Sequence, residues 1–431
     1  DTLRSSDMHV RDAAKRIVQE LTIPSDLIAA QLVAVIPPSR DASGAPAKKM
    51  KLTLEEREDD DASRRLEMLT LLLELLQAKK NLESGYVLLP HLFELLKNLT
   101  EPGNQLHGQL GTDYTMQLVL SSLRNITNSY STQQVDEELT KKLEPMFDVS
   151  GVIHCIRSSQ SPQTHNKAFL LLASITRIFP DRVLKHAMPL FTFMGDTSLR
   201  SDDNYTFQVL HKTIQSIIPR IAEKRSAQII PIISVLAGSF SHIPSHRRLV
   251  LFGSFVKSFG VEYFHVMLMF LFQLYSNSND AISTELQYDA DNSIPSFCFY
   301  LVLQFSPLQV LPALTRIIQS LTAWKSKKAK ESGVLKQIIE STTSSGVEFD
   351  YYNLSSVTCQ FIGKYLQSSS FFKQLAMLPP QSDKQLQKSF ITLFESIMFQ
   401  LRLLSTLQFK VEGNESIKCK VIIEQIYVMI E

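Results

Sequence analysis

The chain has 431 residues, 44% of them hydrophobic, enough apolar material for a large buried core and for more than a single conventional domain. Lys and Arg number 44 against 43 Asp and Glu, a net charge of +1, which excludes a whole-molecule field toward nucleic acid or membrane and leaves any such contact to a local patch. Four dispersed cysteines, Cys155, Cys298, Cys359 and Cys419, fit neither a disulfide framework nor a zinc knuckle and point to a reducing compartment, while only 14 Gly and 18 Pro favour long helices over a sandwich or barrel.

Residues 1–36 read as a helical segment that opens on Asp1 with no signal-peptide core. Residues 37–62 read as a disordered, charged linker, because Pro, Ser, Gly, Lys, Glu and Asp displace the apolar residues. Within it, Lys48, Lys49 and Lys51 resemble a short nuclear-localisation peptide, the plainer reading being a solvated linker, and the acid run Glu55 to Asp61 reads as a solvated tract. From 63 to 275 apolar residues recur at helical spacing, and hairpins can be drawn over 63–99, 113–157, 166–195, 203–239 and 245–275. Ala168, Leu171, Leu172, Ile175 and Ile178 share one such face.

The run Val261 to Tyr275 carries His265, falls short of the roughly 20 residues of a membrane span, and reads as a buried helix. Residues 276–293 form an acidic loop, and 294–431 hold further helical repeats, with a hairpin at 294–321. A basic segment, Trp324 to Lys330, and a short extended piece, Ser345 to Tyr352, interrupt them. Val421 to Glu431 reads as a helix without a stop signal, so an internal section of a longer protein is expected. Hairpin starts about 40 to 50 residues apart predict an all-α fold, a HEAT or armadillo-like α-solenoid of stacked hairpins.

The residues that could carry chemistry have structural readings. Gly108 and Gly111 with Asp113 lack the Lys and Ser or Thr of a phosphate loop and read as a loop with a helix cap. His242 and His246 have metal-ligand spacing, but Pro244 between them makes a loop. His154 and Cys155 are adjacent on a helix and point in different directions, so the thiol reads as a small buried hydrophobe. Lys325, Lys327, Lys328 and Lys330 beside Trp324 form a candidate RNA contact, lysines on phosphates and the indole on a base, against the plainer reading of surface lysines around a packed Trp. No catalytic, cofactor or metal site is predicted.

One stretch is more specific. Met-Pro-Leu-Phe-Thr-Phe-Met-Gly at 188–195, Leu-Arg-Ser-Asp-Asp-Asn-Tyr-Thr-Phe at 199–207, and Thr213-Ile214 before Ile-Ile-Pro at 217–219 resemble the signature of the U3 small-nucleolar-RNA-associated HEAT-repeat family of the small-subunit processome, in its vertebrate form. Ser201 departs from the Gln that usually follows the Arg. The resemblance implies a non-enzymatic nucleolar scaffold that assembles the processome on pre-rRNA for 18S maturation and supports ribosomal DNA transcription. It implies as partners other processome proteins, β-propeller subunits included, with pre-rRNA and the U3 ribonucleoprotein, and no cofactor, small-molecule substrate or membrane. Within the signature Pro189 is expected to bend the chain, Phe191 and Phe193 to be buried, and Gly195 to turn. Asp202 and Asp203 are expected to cap the next helix, and Arg200 to pair with one of them. The competing reading is a karyopherin-like nuclear transport receptor or adaptor, favoured by the acidic loops and opposed by the balanced charge. An enzyme assembled from distant repeats is the third.

Overall fold

Helix starts in this chain are set by side chains that satisfy the first backbone donors. Ser161 accepts from the Thr164 N–H at 3.5 Å, and Pro162 occupies the first helical position, where a missing N–H costs nothing. Asp148 accepts from Gly151 at 3.0 Å, Ser293 from Ser296 at 3.3 Å and Ser368 from Phe371 at 3.2 Å, each opening a helix in the same way.

The computed structural model describes residues 9, 24–35, 52–78, 82, 84–101, 112–132, 137–196, 202–224, 226–277, 293–325, 335–336, 339–340, 349–409 and 414–430. Every regular element among them is helical. The α-helices are α1 Ser25–Val35, α2 Leu52–Ala78, α3 Leu89–Thr100, α4 Thr112–Thr132, α5 Glu137–Leu143, α6 Val149–Ser158, α7 Pro162–Ile178, α8 Pro180–Leu184, α9 Ala187–Asp196 and α10 Asn204–Lys224. They continue with α11 Ile229–Gly238, α12 Ser245–Phe259, α13 Phe264–Ser276, α14 Ile294–Val302, α15 Pro307–Lys325, α16 Tyr351–Leu366, α17 Ser369–Ala376, α18 Asp383–Gln408 and α19 Asn414–Ile430. They gather into two compact units, residues 1–190 with 203–217 and residues 191–202 with 218–431, so that α9 and α10 each divide between the units.

In the first unit α2, α4 and α7 pack in that order as one row, and α3 packs on α6 in a second row. The apolar stripe of α7 is buried as its spacing predicts, with Ala168, Leu171, Leu172 and Ile175 inside and Ile178 at the margin. Burying each Leu or Ile stabilises by roughly 1.5–3 kcal/mol. In the second row Phe147 meets Phe93 at 6.1 Å and Phe179 at 5.2 Å between ring centres.

The first row also carries a polar ladder. Thr70 and Thr115 share a hydrogen bond of 3.0 Å, the Gln117 amide donates to Thr164 at 3.4 Å, and the Asn166 amide donates to Thr206 at 2.8 Å. The sequence spacings of these bonds are 45, 47 and 40 residues, which is the repeat length expressed as contacts. The underlying motif is Thr-x-(Gln/Asn), at Thr115–Gln117, Thr164–Asn166 and Thr206–Gln208.

The second unit begins in the same manner, with α11 packed on α13, α12 on α14, and α13 on α15. Beyond α15 the pitch lengthens. α15 lies along α18 and α16 along α19, and the bonds that join them, Thr322 to Gln400 at 2.6 Å and Ser356 to Gln425 at 3.0 Å, span 78 and 69 residues.

Two sequence readings shift. Helix α2 begins at Leu52, so the acidic run Glu55 to Asp61 assigned to the linker is helical backbone. Tyr351 and Tyr352 open α16 instead of an extended piece, because Asp350 caps the helix, accepting from the N–H groups of Tyr352 at 2.9 Å and Asn353 at 3.1 Å. Lys48, Lys49, Lys51 and most of the acidic loop lie outside the described residues.

Candidate interaction surface

The signature residues serve the packing of repeats. Pro189 is the third residue of α9, within the first turn, where its ring needs no bend. Phe191 is fully buried, whereas Phe193 is only partly so, a correction to the expected pair. Gly195 lies inside α9 and makes no left-handed turn. A Cβ there would stand 2.5 Å from Ser239 Oγ and 3.3 Å from Val235 Cγ1, so the glycine leaves room for the close approach of α9 to the end of α11, and a side chain larger than methyl would meet Val235. Asp203 caps α10 as expected, accepting from the Thr206 N–H at 2.7 Å. Asp202 does something else. Its carboxylate meets Arg247 Nε at 3.0 Å and its carbonyl accepts from Arg247 Nη2 at 2.6 Å, a latch across 45 residues. Arg200, the expected partner, lies outside the described residues. With the Asp202 carboxylate 66% exposed, the ion pair itself contributes about 0–1 kcal/mol.

Lys325 is drawn into the fold. Its ammonium donates to Tyr352 Oη at 3.2 Å and lies 4.9 and 4.6 Å from the ring centres of Tyr351 and Tyr352. Tyr352 donates onward to Glu415 at 3.0 Å, and burial, then Glu415, push its phenol up. Gln400 links the other tyrosine, donating to Tyr351 Oη at 3.0 Å while accepting from Thr322, and burial holds that phenol at about 12. Burial would raise Asp350, but the Lys418 ammonium at 2.6 Å and the N–H groups of Asn353 and Tyr352 outweigh it and hold the carboxyl low. This network joins α15, α16, α18 and α19 and fixes their packing. Trp324 packs edge-on against Phe349, and Lys327, Lys328 and Lys330 lie outside the described residues.

Helix α18 of the second unit exposes several large apolar side chains. α18 buries Leu393, Ile397, Leu401 and Leu404 on one face, yet Ile391, Phe394 and Phe399 are 58%, 51% and 57% exposed on the other. A helix apolar on both faces asks for cover on both. Residues 380–408 are long and apolar enough to cross a membrane by length and composition. Glu395 and Arg402 in the middle of that stretch, and the packing of α18 on α15 and α19, are features of a helix in a protein core or interface. Sequence periodicity alone concealed this surface, because both faces of α18 look like core.

Among the described residues no group of three or more His, Cys, Asp or Glu converges to hold a metal ion. His154 is exposed while Cys155 points inward, and burial followed by the Asp113 charge raises the thiol to about 12. His246 lies 3.4 Å from Asp202, on the latch.

A family described as HEATR1-like, HEAT repeats, matches residues 224–430. HEAT repeat-containing protein 1 of Homo sapiens is 33% identical over 333 residues, covering 71% of this chain and 15% of that protein, and its counterpart in Danio rerio is 31% identical over 346 residues, covering 74% and 16%. U3 small nucleolar RNA-associated protein 10 of Aspergillus terreus is 30% identical over 343 residues, 74% of this chain and 18% of that protein. The chain thus spans less than a fifth of the length of these relatives.

Proposed function

The chain belongs to the HEAT-repeat family that includes HEAT repeat-containing protein 1 and U3 small nucleolar RNA-associated protein 10, and on that premise we propose that it is a non-catalytic scaffold segment of ribosome biogenesis. The finer reading is assembly of the small-subunit processome on pre-rRNA in the nucleolus, for 18S maturation and in support of ribosomal DNA transcription. The observation that carries it is homology over 71% of the chain to a HEAT-repeat protein, and the exposed apolar face of α18 supplies a surface for a protein partner, β-propeller subunits being the class to test first. Lys48, Lys49 and Lys51 fit nuclear import, and Lys327, Lys328 and Lys330 fit a phosphate contact from which Lys325 is removed by its tyrosine partners.

Sucrose-gradient sedimentation of the tagged protein, with 18S precursor analysis after its depletion, tests this. Cosedimentation with early pre-ribosomes and a processing defect are expected; absence of both refutes the reading. In Ile391→Glu, Phe394→Glu and Phe399→Glu together, partner capture falls while helicity is kept. Flotation of the unsubstituted chain with liposomes would instead assign the face to lipid.

A further inference from the structure

A cavity of about 200 Å³ opens in the first unit between α4, α7 and α10, and its charged lining is entirely cationic: Arg124 from α4, Arg177 from α7 and Lys212 from α10. Lys167, on α7, stands close enough for the Arg124 charge to reinforce burial in lowering its ammonium. None of the four makes an ion pair among the described residues, and Arg124 Nε is buried without a protein acceptor there. The helices that line the cavity bring little counter-charge of their own. On α4, α7 and residues 204–217 of α10 the sole carboxylate is Asp113, three turns of helix away from Arg124 and bonded to Ser159 at 3.2 Å.

Cations gathered around a cavity repel one another and hold an unmet capacity to donate, a combination that an anion with several oxygens relieves. We propose that this cavity seats a backbone phosphate of RNA. The rest of the lining is Asn128, Leu170, Ala173 and Ser174, and no aromatic ring is among it, so there is nothing on which to stack a base. The contact therefore reads the phosphodiester and not the sequence. Three successive helices each supply a cation to the one cavity, an arrangement matched to a single phosphate with several oxygens. Preference for RNA over a phosphorylated peptide rests on the ribosome-biogenesis reading above.

The test is fluorescence anisotropy of the 431-residue chain with labelled single-stranded RNAs of unrelated sequence, across a salt series. Arg177 and Lys212 are surface side chains, so Arg177→Gln/Lys212→Gln is expected to keep the helical content and melting profile of the parent. Affinity should fall about tenfold or more for every RNA alike, and the slope of log K against log salt should flatten by up to about 0.7, the value for one lost phosphate contact. Lys384→Gln/Lys388→Gln, on the first turns of α18, should leave both quantities unchanged. Arg124→Lys, which keeps the charge and loses the planar fork, should weaken binding while preserving the slope.

No RNA binding by the parent chain, or an unchanged slope in Arg177→Gln/Lys212→Gln, overturns the proposal. So does tighter binding of a phosphoserine peptide than of RNA through the same residues. Cosedimentation with pre-ribosomes can persist through each of those outcomes, so the pocket and the family role fail separately.

Discussion

The Asn166–Thr206 bond can be removed from either end, and the two removals differ in what they strand. Asn166 is 2% and Thr206 3% exposed, their bond is 2.8 Å long, and Asn166 Oδ1 already meets no donor among the described residues. Thr206→Val keeps the shape of the side chain and the backbone N–H that Asp203 caps, but leaves the Asn166 amide buried with no acceptor. An unsatisfied buried donor costs about 1–3 kcal/mol. At 1.36 kcal/mol per factor of ten, the opening equilibrium of this helix pair should rise roughly 5- to 150-fold. Adding Asn166→Leu removes the stranded amide, so the double variant should return to within about 1 kcal/mol of the parent. Native-state hydrogen exchange of α7 and the first half of α10, resolved by mass spectrometry, reads these factors directly. Unchanged exchange in Thr206→Val, or a double variant as open as the sum of the singles, would refute the claim that this ladder couples neighbouring repeats.

Three further outcomes are expected. Gly195→Ala should be close to neutral in thermal unfolding, since its helix-propensity gain of about 1 kcal/mol offsets turning the Ser239 hydroxyl aside, whereas Gly195→Val should cost about 1–3 kcal/mol against Val235. Burial, reinforced by Arg316, lowers the His265 imidazole to about 4. Its folded pKa lies below the unfolded one, so stability is full above about pH 6.5 and is lost as pH falls toward 4, with about 2 kcal/mol gone near pH 5; His265→Phe should remove that share of the acid-side loss in urea titrations. Burial raises the thiols of Cys155 and Cys359 to about 12, so a disulfide reagent at about pH 8 should label neither in the folded chain and both once it is denatured.

Local pattern carried the helices well: the α7 stripe and the Asp203 cap were both legible, because each is decided within a few residues. Contacts between repeats were not. The sequence offers Arg200 as a partner for Asp202 or Asp203 and gives no sign of Arg247, 45 residues on, which the structure places against Asp202. Lys325 read as a free surface charge because Tyr351 and Tyr352, which hold it, come 26 and 27 residues later. The 188–219 signature pointed to the family, yet the family match falls on 224–430, where sequence reading had found only generic repeats. The missed ladder had a signal, Thr-x-(Gln/Asn) recurring near the repeat length, which comparison of the hairpins with one another would have found.

The same geometry explains how a chain with a net charge of +1 can hold a concentrated cationic site. Arg124, Arg177 and Lys212 fall in three separate helices, and none belongs to a basic run that composition or a sliding window would mark. Stacking turns spacings of tens of residues into side-by-side neighbours, so charge adds across the repeats and not along the chain. In Lys325 the charge is spent on holding α15 to α16. For this fold, aligning equivalent helix positions is therefore the better guide to a binding surface, and Arg177→Gln/Lys212→Gln set beside Lys327→Gln/Lys328→Gln in one RNA titration decides between the two rules: a flattened salt slope in the first pair alone supports the cross-repeat rule, and in the second pair alone defeats it.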